Sequence, residues 1–339
     1  MSGDESRVPS EDRIERLLRF AGPRPEVPVE RSERVHEQVK ADWQRGLRRR
    51  FQRRAVLWTT LAAAAALAGF LVMPGAGDRV MGYLEPAPQG PIARVEAVSG
   101  AVRFAARHNE ASERGRLVLV GDMLRAGATL ETAERGRIAV RLDRGPSVRL
   151  DVESTVRFLS DAEIGLDRGS VYVDSGALQS PIEVHTAAGT VVDIGTQFEV
   201  RLQPQGMRVR VRDGSIQLER LGESFEAGAG TELEVDAAGA VRRREVPIYG
   251  PMWDWVLEVA PPFRLEGSSL SDFLAWVDQE TGWSIRFAER RAELSAASIV
   301  LHGSLDGLRP DRALDAVLPT CGLTHTLDSG TLYIEALPQ

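Results

Sequence analysis

Apolar and polar residues alternate along much of this chain. From Ile92 to about Val246, short runs place every second residue on one face: Ala93–Val98, Ala101–Ala105, Leu117–Val120, Arg137–Leu142, Ser147–Val152, Ser170–Val173, Ile182–His185, Val191–Val192, Gln197–Leu202, Met207–Val211 and Ser215–Leu218. Gly, Asp and Ser separate them. A period of two, with turn signals every eight to twelve residues or so, predicts an all-β domain of sandwich or jelly-roll type over residues 92–246.

A Pro-rich break with a Trp pair, residues 247–262, leads into a third pattern. Phe263 and Leu265 suggest a strand. Leu270, Phe273, Leu274 and Val277 then fall at helical spacing, with Gly282 placed to end the helix. Strands are expected at Trp283–Phe287 and Ser298–Leu301. Pro310 opens a second helix carrying Ala313, Leu314, Val317 and Leu318, and Leu323–Leu327 and Thr331–Ile334 close as a hairpin. The expected order is βαββαββ, a small α+β domain over residues 263–339.

The stretch Ala55–Met73 breaks both patterns, with no charge and no polar face. As a helix it would reach about 28 Å, enough to cross a bilayer's hydrocarbon core once. Arg48, Arg49, Arg50, Arg53 and Arg54 precede it, whereas Pro, Gly and a balanced Asp78–Arg79 pair follow. The positive-inside rule puts residues 1–54 in the cytoplasm and everything after the Pro/Gly-rich linker 74–91 outside it. A signal peptide, twin-arginine type included, and a buried Ala-rich helix are the alternatives; fifty-four residues ahead of the stretch argue against the first, and the missing polar face against the second. The chain thus reads as a multidomain single-pass membrane protein. Before the span, Leu17 and Leu18 lie on one short amphipathic helix and Val35, Val39 and Trp43 on another. Units so short cannot bury these stripes against each other and call for a partner.

Charge sharpens this division. The net charge is −7, with +4 on residues 1–54 and −11 on the remainder. An Arg cluster beside a span reads as contact with membrane lipid, not direct nucleic-acid binding. A single cysteine, Cys321, excludes an intramolecular disulfide and reads as a buried, inert thiol. The histidines 36, 108, 185, 302 and 325 are scattered without metal-ligand spacing, and no nucleophile elbow, phosphate loop or dinucleotide fingerprint occurs. No cofactor, no metal and no conventional enzyme activity are expected.

One string stands apart, Thr190-Val191-Val192-Asp193-Ile194-Gly195-Thr196-Gln197-Phe198-Glu199-Val200. Gly195, Thr196, Phe198 and Val200 resemble the signature of the FecR family, inner-membrane regulators of extracytoplasmic-function sigma factors in bacteria. The order of parts is similar too. The last module resembles the short N-terminal domain of secretins and TonB-dependent receptors, on Phe263, Gly267, Leu270, Leu274, Thr281-Gly282, Gly303, Ala313-Leu314 and Gly322-Leu323. Residues 1–54 depart from the family in holding one tryptophan, Trp43.

The resemblance implies an inner-membrane protein with a cytoplasmic N-terminus and periplasmic C-terminal domains. It would act in transcription regulation, such as that of iron uptake. Leu17, Leu18, Val35, Val39 and Trp43 would bind the sigma factor, and the C-terminal module would meet the signalling domain of a TonB-dependent receptor. Envelope and intramembrane proteases would relay the signal. It also implies a self-cleavage site, Gly195-Thr196, with the Thr196 hydroxyl as nucleophile. Against these expectations stand an envelope scaffold anchored by one span, and an envelope hydrolase using His185 or His302.

Overall fold

The computed structural model describes residues 90–105, 115–176, 181–193, 195–289, 298–305 and 307–337, with Glu293 and Ala296. The 55–73 stretch and the positions Leu17, Leu18, Val35, Val39 and Trp43 lie outside the described residues. Among the described residues no helix is long and apolar enough to cross a membrane. Residues 86–339 form one compact unit.

Among the described residues, seventeen strands build two large sheets. In spatial order the first holds β17 (Val241–Glu245), β16 (Thr231–Asp236), β13 (Gly206–Asp213), β12 (Gln197–Gln203), β9 (Ser170–Asp174), β6 (Ser147–Leu150), β5 (Arg137–Leu142), β1 (Pro91–Ser99) and β3 (Met123–Arg125). The second holds β15 (Glu223–Gly228), β14 (Ser215–Arg220), β11 (Gly189–Asp193), β10 (Glu183–Thr186), β8 (Glu163–Arg168), β7 (Thr155–Phe158), β4 (Ala128–Thr132) and β2 (Val102–Phe104). Ladders are antiparallel except β8–β10, which is parallel.

The period-two alternation makes the core. In β13, Met207, Val209 and Val211 point inward and are fully buried, and in β12 Phe198 and Val200 do the same. They share one cluster with Leu130, Val156, Ile164, Val184 and Leu218 of the second sheet. At roughly 1.5–3 kcal/mol for each large side chain removed from water, this core explains how the domain holds without a disulfide.

Three expected strands are corrected. Leu117–Val120 contributes an isolated bridge from Leu117 to Arg103 and then turns. Ser298–Leu301 contributes one bridge, Val300 to Ser269, and Phe263–Leu265 is not a strand. Each has apolar residues but no neighbouring strand to complete a ladder, and β-propensity without a partner is too weak to hold one. β3, β4, β7, β8 and β15 to β17 were hidden from the alternation by charged residues and by glycines such as Gly165 and Gly228.

The third module is correspondingly simpler, and Trp253 and Trp255 tie it to the β domain. Pro251–Trp253 forms one 3₁₀ turn and α1 (Asp254–Leu257) follows, so the stretch expected as a linker is packed structure. Helix α2 (Leu270–Thr281) begins with a capping box: Ser269 Oγ accepts from Asp272 N at 3.1 Å, and Asp272 Oδ2 accepts from Ser269 N at 3.2 Å. It stops at Gly282, whose φ of 70° suits glycine. β18 (Ser284–Phe287), α3 (Pro310–Val317), β19 (Leu323–Asp328) and β20 (Thr331–Ala336) complete the module. The strand order is β18-β20-β19, and the hairpin turns at Ser329-Gly330 with both φ positive. Leu270, Phe273, Val277, Leu314 and Leu332 centre a separate core.

Candidate functional site: the Gly195-Thr196 junction and the face beside it

The FecR-like string lies where the chain leaves β11 in one sheet and enters β12 in the other. Gly195 makes the crossing with φ +70°, a conformation that favours a residue without Cβ. Thr196 is buried and held on every polar atom. Its N–H donates to Ser175 Oγ at 2.8 Å, its hydroxyl donates to the Ser215 carbonyl at 2.6 Å, and its carbonyl accepts from Ser175 N at 3.1 Å and Ser175 Oγ at 3.2 Å. Gly214 closes the site. A Cβ there would stand 2.4 Å from the Gly195 carbonyl oxygen and 3.1 Å from Thr196 Oγ1. Phe198 and Val200, flagged with the motif, are core residues.

Asp193 completes the junction. It is fully buried, and its carboxylate makes no close, well-aligned hydrogen bond among the described residues. Burial pushes its pKa up to about 6, and the nearby hydroxyls of Ser175 and Thr196 and the backbone at Ile182 and Thr196 counter this only in part. Sequence reasoning passed over Ser175, Gly214 and Asp193. Only Asp193 left a signal: the period of two puts it on the same inward face as Val191.

On the opposite face of β12, one row of side chains crosses six strands in register. Arg149 on β6 stands opposite Tyr172 on β9, then Glu199 on β12, Arg210 on β13, Glu232 on β16 and Arg244 on β17. Glu232 binds Arg210 and Arg244 at 2.6 Å each, and these outweigh burial and lower its pKa. Glu199 binds Arg201 at 2.9 Å and accepts from Trp255 Nε1 at 3.2 Å.

The C-terminal module covers the Arg149 end. Glu280 at the close of α2 accepts two hydrogen bonds from Arg149, at 2.7 and 2.9 Å, and Arg149 also donates to the Val256 carbonyl at 3.1 Å. Trp253 and Trp255 meet the Tyr172 ring edge-on, at 6.1 and 6.4 Å between centroids. Asp174 accepts from both Gln197, at 3.1 Å, and Gln279, at 2.9 Å. Arg212 lies 5.3 Å over Trp253 and donates to the Ile248 carbonyl at 2.9 Å.

The remaining candidates do not converge. His185 contacts Thr190 at 3.3 Å, and exposed His302 contacts Glu266 at 2.9 Å. Among the described residues no cluster could hold a metal ion. Cys321, expected to be buried, is half-buried.

Comparison with known proteins bears on the same stretch. The FecR protein family matches residues 128–217, which contain Ser175, Asp193, Gly195, Thr196 and Gly214. Residues 128–217 thus match a FecR domain. No curated protein matches it. Two crystal structures of a candidate anti-sigma factor from Parabacteroides distasonis are similar at 14% and 15% identity, covering 61% of this chain and 98% and 97% of theirs, each with a TM-score of 0.34. In this chain the FecR family match starts at β4 and ends in β14.

Proposed function

We propose that the protein is a single-span signal-transducing regulator of an extracytoplasmic-function sigma factor. The FecR domain carries this reading. Residues 1–54 hold the sigma factor through the apolar positions Leu17 and Leu18 and Val35, Val39 and Trp43, whose helical spacing calls for an apolar partner. Residues 55–73 cross the inner membrane. The FecR domain and the α+β module lie in the periplasm, where the module receives a TonB-dependent receptor's signalling domain. Envelope and intramembrane proteases then free the cytoplasmic part.

Within this reading, the Gly195-Thr196 bond is a self-cleavage site. The Thr196 hydroxyl oxygen attacks the Gly195 carbonyl carbon, and its proton passes to the departing amide nitrogen as the C–N bond breaks. The product is an ester with a free amine. Water then hydrolyses the ester to a Gly195 carboxyl and restores the Thr196 hydroxyl. The hydroxyl must first leave the Ser215 carbonyl, its partner at 2.6 Å.

Copurification tests the central claim. A sigma factor should be recovered with residues 1–54 and lost with Trp43→Ala or Leu17→Asp; recovery of none would favour an envelope scaffold.

A further inference from the structure

We propose that residues 115–125 form a strap that seats on the face of a phospholipid bilayer. The strap runs along the open edge shared by the two large sheets, from the bridge of Leu117 with Arg103 beside β2 to β3, the last strand of the other sheet. Along it Val118 and Leu124 turn inward and are buried. Leu117, Leu119, Val120 and Met123 turn outward, 48%, 62%, 64% and 50% exposed. Four large apolar side chains facing water within seven residues form a patch, unlike scattered single exposures.

The patch is held ready. Leu119 to Asp122 is a tight turn closed by Asp122 N donating to the Leu119 carbonyl at 3.1 Å, while Asp122 Oδ2 accepts from Leu119 N at 3.0 Å and from Arg116 at 2.9 Å. Turn tips favour polar residues and glycine, so a tip displaying Leu-Val on a polar staple calls for an apolar partner. Little ordering entropy remains to be lost on docking.

Charge and connectivity select lipid. Exposed Arg94, Arg103, Arg116 and Arg125 surround the patch, against Asp122, already paired with Arg116, and Glu131, opposite Arg103. Apolar residues ringed by arginine suit an interface of acyl chains and anionic headgroups. Met123 and Arg125 stand opposite Arg94 and Pro91 at the start of β1, the first described strand after the 55–73 stretch. Seventeen residues, 74–90, separate that stretch from β1, so chain length alone allows at most roughly 60 Å between them. Four side chains are too few for a stable dimer, which needs roughly 800 Å² per partner, but suffice as a second anchor beside a span. The proposal rests on the single-span reading in this respect.

Residues 86–339 carry both cores and make the test possible without the span. This fragment should co-sediment with vesicles of phosphatidylethanolamine and phosphatidylglycerol, and less with phosphatidylcholine alone. Leu119→Asp with Val120→Asp should lower the partition at least about tenfold, and Val120→Trp should shift its emission to shorter wavelength on adding vesicles. Absence of vesicle binding by the wild-type fragment, an unaffected double variant, or self-association that the double variant abolishes would overturn the proposal. Carbonate extraction of the full chain tests the span separately, so failure of one reading is distinguishable from failure of the other.

Discussion

Arg149 and Glu280 lie 131 positions apart and meet in a buried, two-pronged ion pair. Burial works against the Arg149 charge, and Glu280, Tyr172 and Asp174 together more than offset it. One partner stands on β6 and the other on α2, so a ligand that moves α2 must break this pair or carry the sheet with it. Removing one member of a buried pair typically costs about 3–5 kcal/mol. Glu280→Ala should therefore lower stability by that amount and expose residues 247–262 to proteolysis. Denaturant unfolding and limited proteolysis of residues 86–339 check this, and unchanged cleavage at 247–262 would show that the Trp contacts alone hold the module.

Trp255 should prove nearly as important. It is buried between Tyr172 and Glu199, and Trp255→Ala removes both contacts. A loss of about 3–5 kcal/mol is expected by chemical denaturation.

Gly214→Ala is expected to disturb the junction specifically. The added methyl would meet the Gly195 carbonyl at 2.4 Å, on a backbone with φ +74°. Both effects destabilise. If Gly195-Thr196 breaks by itself, mass spectrometry should find the break lost in Thr196→Ala, kept in Thr196→Ser and altered in Gly214→Ala.

Asp193 predicts a pH dependence. Its folded pKa of about 6 lies above the unfolded value of about 3.9. Below about pH 4 the group is neutral in both states and contributes no penalty. As pH rises to about 6 the unfolded chain ionises first, so stability falls, and above that the penalty is complete at about 2–3 kcal/mol. Asp193→Asn cannot ionise. Its stability relative to wild type should therefore rise by about that amount between pH 4 and pH 7, and a difference that does not change with pH would rule Asp193 out as the source.

Much of the fold was legible locally. Arg137–Leu142 is a strand with the bounds its alternation gives, and helix α2 stops at the glycine expected to stop it. Residues 117–120 and 298–301 were not legible, because an apolar run states a preference and a strand also needs a neighbour to bond. At the candidate site the motif located Gly195 and Thr196. It could not locate Ser175 and Gly214, which come from other strand ends and share no spacing with the motif.

The alternation in Met207–Asp213 by itself determined that Met207, Val209 and Val211 share one face and Arg208, Arg210 and Arg212 the other. Tertiary structure decided what each face meets. The apolar face found the second sheet, as a period of two requires. The arginine face would ordinarily meet water; here Arg210 lies between Glu199 and Glu232, and Arg212 lies under Trp253. A period fixes direction within one strand, whereas burial of a charge depends on which distant carboxylate or ring is brought over it, and only the assembled fold holds that information.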